Sequence, residues 1–407
     1  MPGSSDEPQR AAPRAESDAA PAAVAPPLGD APAPSATPQA PPPPLAAGHE
    51  DARDTSMLAP GACPAPIQQR DVVVLGHGSG GRLSHALVSE VIFPALDNPT
   101  LAAREDQAVL RFDGAATGGQ LAFTTDSYVV SPLEFAGGDI GSLAVHGSIN
   151  DLAVGGARPQ ALSLALIAEE GLPLAVLQRI LASVRRAADA AGVPVVTGDT
   201  KVVGRGHGDG LFINTSAVGW VPQGRRLGMH HLKPGDAVVL SGSIGEHGIA
   251  IMAAREGLQL EGGLQSDTAP LHEVAARVLE TCPETRAMRD PTRGGLAATL
   301  VEAASTSGWG IEIDEERVPL RDTVRGACEL LGLDPFLVAN EGKLVAFVPP
   351  AASAAVVQAL RQHPLARDAA VIGAVSEQHP GAVVANTPIG GQRIVDLPLN
   401  EPLPRIC

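Results

Sequence analysis

The chain has 407 residues, of which 44% are hydrophobic and 2% aromatic, and a formal net charge of −16. That length and apolar content predict two ordinary domains plus additional chain, while the negative charge and the scarcity of rings exclude a nucleic-acid surface of basic patches and stacking platforms. Cysteines at 63, 282, 328 and 407 are too far apart for a CxxC metal site or a disulfide framework. There is no run of the roughly eighteen apolar residues a membrane span needs, and the first residues lack a signal-peptide pattern, so a reducing cytoplasm and no membrane contact are expected.

Residues 1–66 are dominated by Ala and Pro, including Pro41 to Pro44, with hardly any large apolar side chain, a composition that predicts disorder. Order is expected from 71–75, a β-branched run that predicts a strand, followed by the glycine loop Gly76-His77-Gly78-Ser79-Gly80-Gly81 and an amphipathic helix over 82–93. The loop matches G-x-G-x-x-G. However, a dinucleotide fold also needs a second strand ending in an acid about twenty residues on, and none is evident; the missing Gly-Lys-Ser/Thr excludes a Walker loop. What Gly78 and Gly80 permit is close approach of backbone N–H groups to an anion.

Apolar strands then alternate with carboxylates at their ends. Glu105 and Asp106 precede 108–110, residues 121–123 run into Thr124-Thr125-Asp126, and 193–196 run into Thr197-Gly198-Asp199-Thr200-Lys201. Between the last two lies a predicted helix over 140–154, carrying Asn150-Asp151 among Ala, Leu and Val, where an acid loses solvation unless a cation meets it. Singly, each acid reads as a cap or turn residue. Gathered at strand ends, they supply hard oxygen ligands for Mg2+, which in turn holds a nucleotide's phosphates.

A strand over 211–221 closes this half, and Lys233-Pro234-Gly235-Asp236 marks a domain boundary near 232. The second half opens with its own strand and glycine loop, 237–240 and 242–248, leading into a helix over 249–256. In Arg289-Asp290-Pro291-Thr292-Arg293-Gly294-Gly295, Asp290 and Pro291 are expected as N-cap and first residue of a helix running to 308; the two arginines and two glycines around them suggest an anion site at its start. Glu341 is expected in a turn before a strand. A last helix over 352–362 and a strand over 370–375 precede the tail. There, prolines at 398, 402 and 404 predict an extended, mobile arm whose eleven residues, at about 3.3 Å each, reach roughly 36 Å. Such an arm can carry the Cys407 thiol into a cleft or to another protein, and the plain alternative is a frayed terminus.

The segments GHGSGG, TTDSYVV, INDLAVGG, VTGDTKVV, RDPTRGG, ANEGKL and PRIC together resemble the HypE family, the carbamoyl dehydratases of NiFe-hydrogenase maturation, over residues 70–407. The acids and DPTRGG are also similar to the wider superfamily of aminoimidazole-ribonucleotide synthetase, selenophosphate synthetase and thiamine-monophosphate kinase; PRIC separates the HypE family from these. The resemblance implies a mixed α/β, two-domain PurM-like ATP-binding fold: a disordered extension over 1–66, an ATP-binding and dimerising domain over 67–232, an α/β domain over 233–396 and a mobile tail over 397–407. It implies that HypF loads a carboxamide onto Cys407, that ATP drives its dehydration to a thiocyanate, and that cyanide passes to iron on the HypC–HypD complex, the enzyme acting as a homodimer. By the same resemblance Asp106, Asp151 and Asp290 hold metal and nucleotide, with Asp126, Asp199, Gly78 and Gly80 in the nucleotide site. Glu341 is implied as proton acceptor and Lys201 as charge stabiliser around the carboxamide. The competing readings are a small-molecule ATP-dependent kinase or synthetase of the superfamily, and a carrier without turnover of its own.

Overall fold

The computed structural model describes residues 71–74, 77, 86–99, 118–258, 263–397 and 405–407. The 1–66 extension, Gly78, Gly80, Asp106 and the proline-bearing stretch 398–404 lie outside the described residues. Alternation of more and less buried side chains, clearest in the strand over Leu211–Pro222, makes β-strands of the first half. β1 (Gly119–Tyr128), the short β2 (Glu134–Phe135) and β3 (Gly138–Asp139), β4 (Arg158–Glu169), β5 (Val195–Val203) and β6 (Leu211–Pro222) follow in order. The four long strands form one sheet ordered β1-β6-β4-β5. β4 and β5 are parallel, which requires a crossover, and a helix over Leu174–Ala191 supplies it.

Eight helices are labelled here: α1 (Phe93–Leu96, continuing a π-helical turn over Val88–Ile92), α2 (Ile140–Val154), α3 (Leu174–Ala191), α4 (Glu246–Glu256), α5 (His272–Thr281), α6 (Gly295–Ser307), α7 (Asp322–Leu331) and α8 (Pro350–Arg361). α2 starts from a capping box, in which the Asp139 carboxylate accepts from the backbone of Ser142 while the Ser142 hydroxyl meets the backbone N–H of Asp139. It is apolar on every side, so it is buried on every side, with Asp151 as the exception. α2 and α3 cover one face of the sheet. The other face is open: Phe123 is 67% exposed, and Leu121 and Ile167 stand out beside it.

In the second half, β7 (Ala237–Leu240), β8 (Ala287–Arg289), β9 (Gly310–Asp314), β10 (Val345–Val348), β11 (Ala370–Ser376), β12 (Val383–Asn386) and β13 (Gln392–Val395) form a sheet ordered β13-β12-β9-β11-β7-β10-β8. Leu296 and Leu300 of α6 pack on one side of it, and Val274 of α5 with Val356 and Leu360 of α8 on the other. Ala153 and Val154 join that last cluster, so the C-terminal end of α2 ties the two halves together.

Four expectations change. Among residues 71–74, the described part of the strand expected over 71–75, there is one isolated bridge, between Val72 and Pro173, because its neighbour there is a turn and not a strand. β1 and β5 run on through the TTD and TGDTK segments, so Asp126 and Asp199 lie within strands and alternation decides which way they face. Asp290 caps no helix: α6 begins at Gly295, itself at φ +60° and preceded by its cap Gly294 at φ +74°, a turn that separates Asp290 from the helix start and leaves it at the end of β8. β12 and β13 follow the strand expected to be last; each has four residues, too few for period 2 to stand out in the sequence.

Candidate active site

Alternation in β1 turns Thr124, Asp126 and Tyr128 toward α2, and the last turn of α2 presents Asn150 and Asp151 to them. The Thr124 hydroxyl donates to Asp151 Oδ2 at 2.6 Å, and the Tyr128 hydroxyl donates to Asp126 Oδ2 at 3.2 Å. Gly147 is obligatory beneath that phenol, since a Cβ there would stand 2.0 Å from Tyr128 Oη. Asn150 works on the second half: its amide donates to the carbonyls of Ala269 (3.1 Å) and Glu341 (3.2 Å), and its Oδ1 accepts from Leu271 N–H at 2.7 Å. Asp267 completes the frame, accepting from the backbone N–H groups of Glu341 and Gly342 while ion-paired with Lys343 at 2.9 Å. Gly342 has no room for a side chain, its Cβ position lying 1.8 Å from the Asp267 carbonyl oxygen.

The electrostatics of these acids divide sharply. Burial, the largest single influence, opposes ionisation of Asp267, but the Lys343 ammonium, His247 and the Glu341 backbone N–H together outweigh it and hold the carboxyl below its ordinary value. Asp151 is raised, by burial first and then by Asp126. Asp290 is pushed up to about 7, by burial first and then by Asp151. Glu341, 3% exposed, is held well above the carboxylate range by burial, then Asp290, Asp267 and Asp126. Tyr128 is raised by burial, Asp126, Glu341 and Asp151 in that order. The mutual influence of Asp126, Asp151, Asp290, Glu341 and Tyr128 marks one cluster of oxygens in which negative charge is poorly compensated.

Cys407 reaches this cluster. Its carbonyl accepts from Val129 N–H at 3.2 Å, and its thiol hydrogen-bonds Glu341, a contact that favours the ionised carboxylate against the larger opposing causes. Ile406 is 1% exposed and packs into the same core as Tyr128, Ile249 and Val324. On the other side of Asp151 opens a slot of about 390 Å³ lined by Phe123, Thr124, Met229, Met288 and Arg289. Apolar walls beside the Arg289 guanidinium and the Asp151 carboxylate suit a flat ring attached to phosphates.

Two family models cover both halves: the AIR synthase related protein N-terminal domain over residues 104–221 and its C-terminal domain over 233–386. The carbamoyl dehydratase HypE of Azotobacter vinelandii is 51% identical over 335 residues, which is 82% of this chain and 97% of that protein. The chain belongs to the HypE carbamoyl dehydratase family. The hydrogenase maturation protein HypE crystallised in complex with ATP superposes with a TM-score of 0.78 at 44% identity, covering 82% of this chain and 99% of that one. A chain of the HypE–HypF complex superposes at 0.67, with 43% identity over 77% and 100%.

Of the residues that the HypE resemblance selected, Asp126, Asp151, Asp290, Glu341 and Cys407 come together. Asp199 and Lys201 do not join them. They share the outward parity of β5 and pair with each other at 2.7 Å on the open face of the sheet, both side chains 62% exposed. Three strand spacings, about 14 Å in all, separate β5 from β1. Asp106, Gly78 and Gly80 lie outside the described residues. No group of three or more His, Cys, Asp or Glu with metal-site geometry occurs among the described residues; of the three acids expected to hold the metal, only Asp151 and Asp290 are described. Sequence reasoning missed Tyr128, Asn150 and Asp267 as site builders. Tyr128 had a signal, being the chain's single tyrosine in a strand that carries Asp126; Asp267 had none, since a long loop brings it in.

Proposed function

We propose that this chain carries a carboxamide on the Cys407 sulfur and, using ATP, dehydrates it to a thiocyanate that supplies the cyanide ligands of a NiFe-hydrogenase iron. The observation carrying this reading is the meeting of the Cys407 thiol with Glu341 next to Asp151, Asp290 and the slot beyond them. Mg·ATP, when bound in that slot, supplies the phosphoryl group that turns the amide oxygen into a leaving group. Asp151 and Asp290 fit the ion as hard oxygen donors whose charges push each other toward the neutral form, the condition a divalent cation reverses. Asp106 joins them, with Gly78 and Gly80 on the phosphates, on the grounds of the motif alone. Asp126 holds the Tyr128 hydroxyl in the cluster.

Glu341 accepts one proton from the amide nitrogen as the phosphorylated oxygen departs. It faces the sulfur and is shut off from bulk water; burial and then Asp290 raise its carboxyl, so neutralising Asp290 lowers it toward a working base. Cysteine suits both ends of the task, nucleophilic as thiolate and a good leaving group afterwards. Lys201 and Asp199 serve from the open sheet face, where exposed Phe123, Leu121 and Ile167 fit a second copy of the chain; we assign Lys201 its charge-stabilising role within that homodimer. HypF loads the thiol, in keeping with a solved HypE–HypF complex, and HypC–HypD receives the cyanide. Domains divide at about 232, and the compartment is the cytoplasm, as the cysteine usage suggests; no helix among the described residues is long and apolar enough to cross a membrane.

The test is mass spectrometry of the C-terminal peptide. Incubation with HypF, carbamoyl phosphate and ATP adds a carboxamide to Cys407, and ATP-dependent turnover then removes one water. Cys407→Ala abolishes both changes and leaves ATP binding intact. Modification of Cys282 or Cys328 instead would refute the carrier role.

A further inference from the structure

The second glycine loop, 242–248, has no part in the chemistry above, yet it carries a fully buried histidine. His247 heads α4, and its two ring nitrogens have defined partners: Nε2 meets the Ile406 carbonyl at 2.8 Å and Nδ1 meets Ser266 Oγ at 2.8 Å. A carbonyl can only accept, so Nε2 carries the proton and Nδ1 receives the serine hydroxyl. Phe135 packs edge-on against the ring at 5.6 Å and fixes its plane. Two turns along the same helix, Arg255 donates Nε to the Ser131 carbonyl at 2.7 Å and Nη2 to the Arg405 carbonyl.

These contacts complete a pattern. Val129 N–H donates to a Cys407 main-chain oxygen and Ser131 N–H to the Arg405 carbonyl, an alternate-residue spacing like that of antiparallel pairing, although Arg405 is left-handed at φ +55° and the segment is not a regular strand. The Ile406 carbonyl points away from residues 129–131, toward α4, where His247 takes it. All three carbonyls of 405–407 are therefore matched, two with help from α4, and the tail side chains read at the site are Ile406, in the core, and Arg405, paired with Asp209 at 2.7 Å.

We propose that His247 and Arg255 are positioning residues that register the tail, gripping consecutive carbonyls so that the next residue, Cys407, faces Glu341. The inference rests on the carrier reading for its purpose, but the docking it describes is separable from the chemistry. A shift of one residue along an extended chain turns alternate side chains to the opposite side, so a grip on the Ile406 carbonyl fixes which side the thiol takes.

The experiment uses the full chain and two readouts: the rate at which iodoacetamide alkylates Cys407, followed on the C-terminal peptide, and the ATP-dependent loss of water from the loaded thiol. Removing one buried hydrogen bond in His247→Ala raises the alkylation rate about 5- to 10-fold and slows water loss by a similar factor, with Mg·ATP affinity unchanged. His247→Gln, which keeps a donor in reach, recovers part of both, and Arg255→Ala gives the same signature from the helix surface should His247→Ala fail to fold. Unchanged alkylation in His247→Ala and Arg255→Ala, or failure of His247→Gln to recover anything, would overturn the proposal. Absence of water loss in the unsubstituted protein would instead overturn the carrier reading while leaving the alkylation result to judge the grip.

Discussion

Asp290→Asn gives a stability change whose sign depends on the cluster being built for a cation. The Asp290 carboxyl stands at about 7 in the folded protein against a reference of 3.8. Its folded value is raised, so between those values the folded state binds more protons than the unfolded one, and stability falls as pH rises through the window. At about 1.4 kcal/mol per pH unit the ceiling is roughly 4 kcal/mol, reached above pH 7. Asp290 is partly open to solvent and shares its shift with Asp151, which reduces the expected penalty to about 1–2 kcal/mol. Replacing the carboxyl with a neutral amide of the same shape removes it. The variant should therefore melt a few degrees higher than the unsubstituted protein at pH 8, with little difference at pH 5, in buffer free of divalent cations and nucleotide. The same variant should bind Mg·ATP more weakly. Scanning calorimetry at the two pH values reads the first effect and isothermal titration the second. A variant less stable at both pH values by the same amount would show that Asp290 is a structural hydrogen-bonding residue and that its neighbours do not repel it.

Ile406→Ala removes three carbons from a side chain 1% exposed; at about 0.8 kcal/mol per carbon the docked tail loses roughly 2–3 kcal/mol, so Cys407 should become alkylated one to two orders of magnitude faster while the melting temperature barely moves. An unchanged rate would mean that the backbone contacts alone hold the tail. A chain beginning at Gln68 should fold and hydrolyse ATP as the whole chain does, because 1–66 has neither core-forming residues nor a motif; loss of either property in that protein counts against the assignment.

The elements that the sequence made legible are those whose pattern is long. The helix over 140–154 appears in the structure with those limits, since fifteen residues of apolar sequence bounded by Asp139 and Gly155 leave little else possible. β12 and β13, four residues each, depend on β9 to pair with β12 and on β12 to pair with β13, and were invisible. Within the site, the acids were legible as residue types in motifs, but their directions were not. Asp126 and Asp199 looked alike at the ends of apolar runs; because both runs continue as strands, parity sends Asp126 into the cluster and Asp199 to the open face. Asp290 looked like a cap because Asp-Pro is the usual opening of a helix, and two left-handed glycines move that opening four residues on, to Gly294 and Gly295.

What separates a structural acid from a functional one here is whether the chain brings its own cation. Asp267, which fixes the backbone at Glu341, is met by Lys343 at 2.9 Å, and Asp236, which holds a turn at Lys233, is met by Arg286 at 3.4 Å. A buried carboxylate that only had to hold the fold would be compensated in this way, since leaving it bare is costly. Asp151, Asp290 and Glu341 are treated differently: the guanidinium that acts on Asp151 and Asp290, that of Arg289, is itself paired with Glu302. Four acids drawn from sequence positions as distant as 126 and 341 are thus set against one another, and their repulsion is relieved by protons or by a ligand carrying positive charge. The fold tolerates that repulsion next to the slot and the docked thiol, where the proposed cation and phosphoryl group would lie, and compensates it at Asp236 and Asp267.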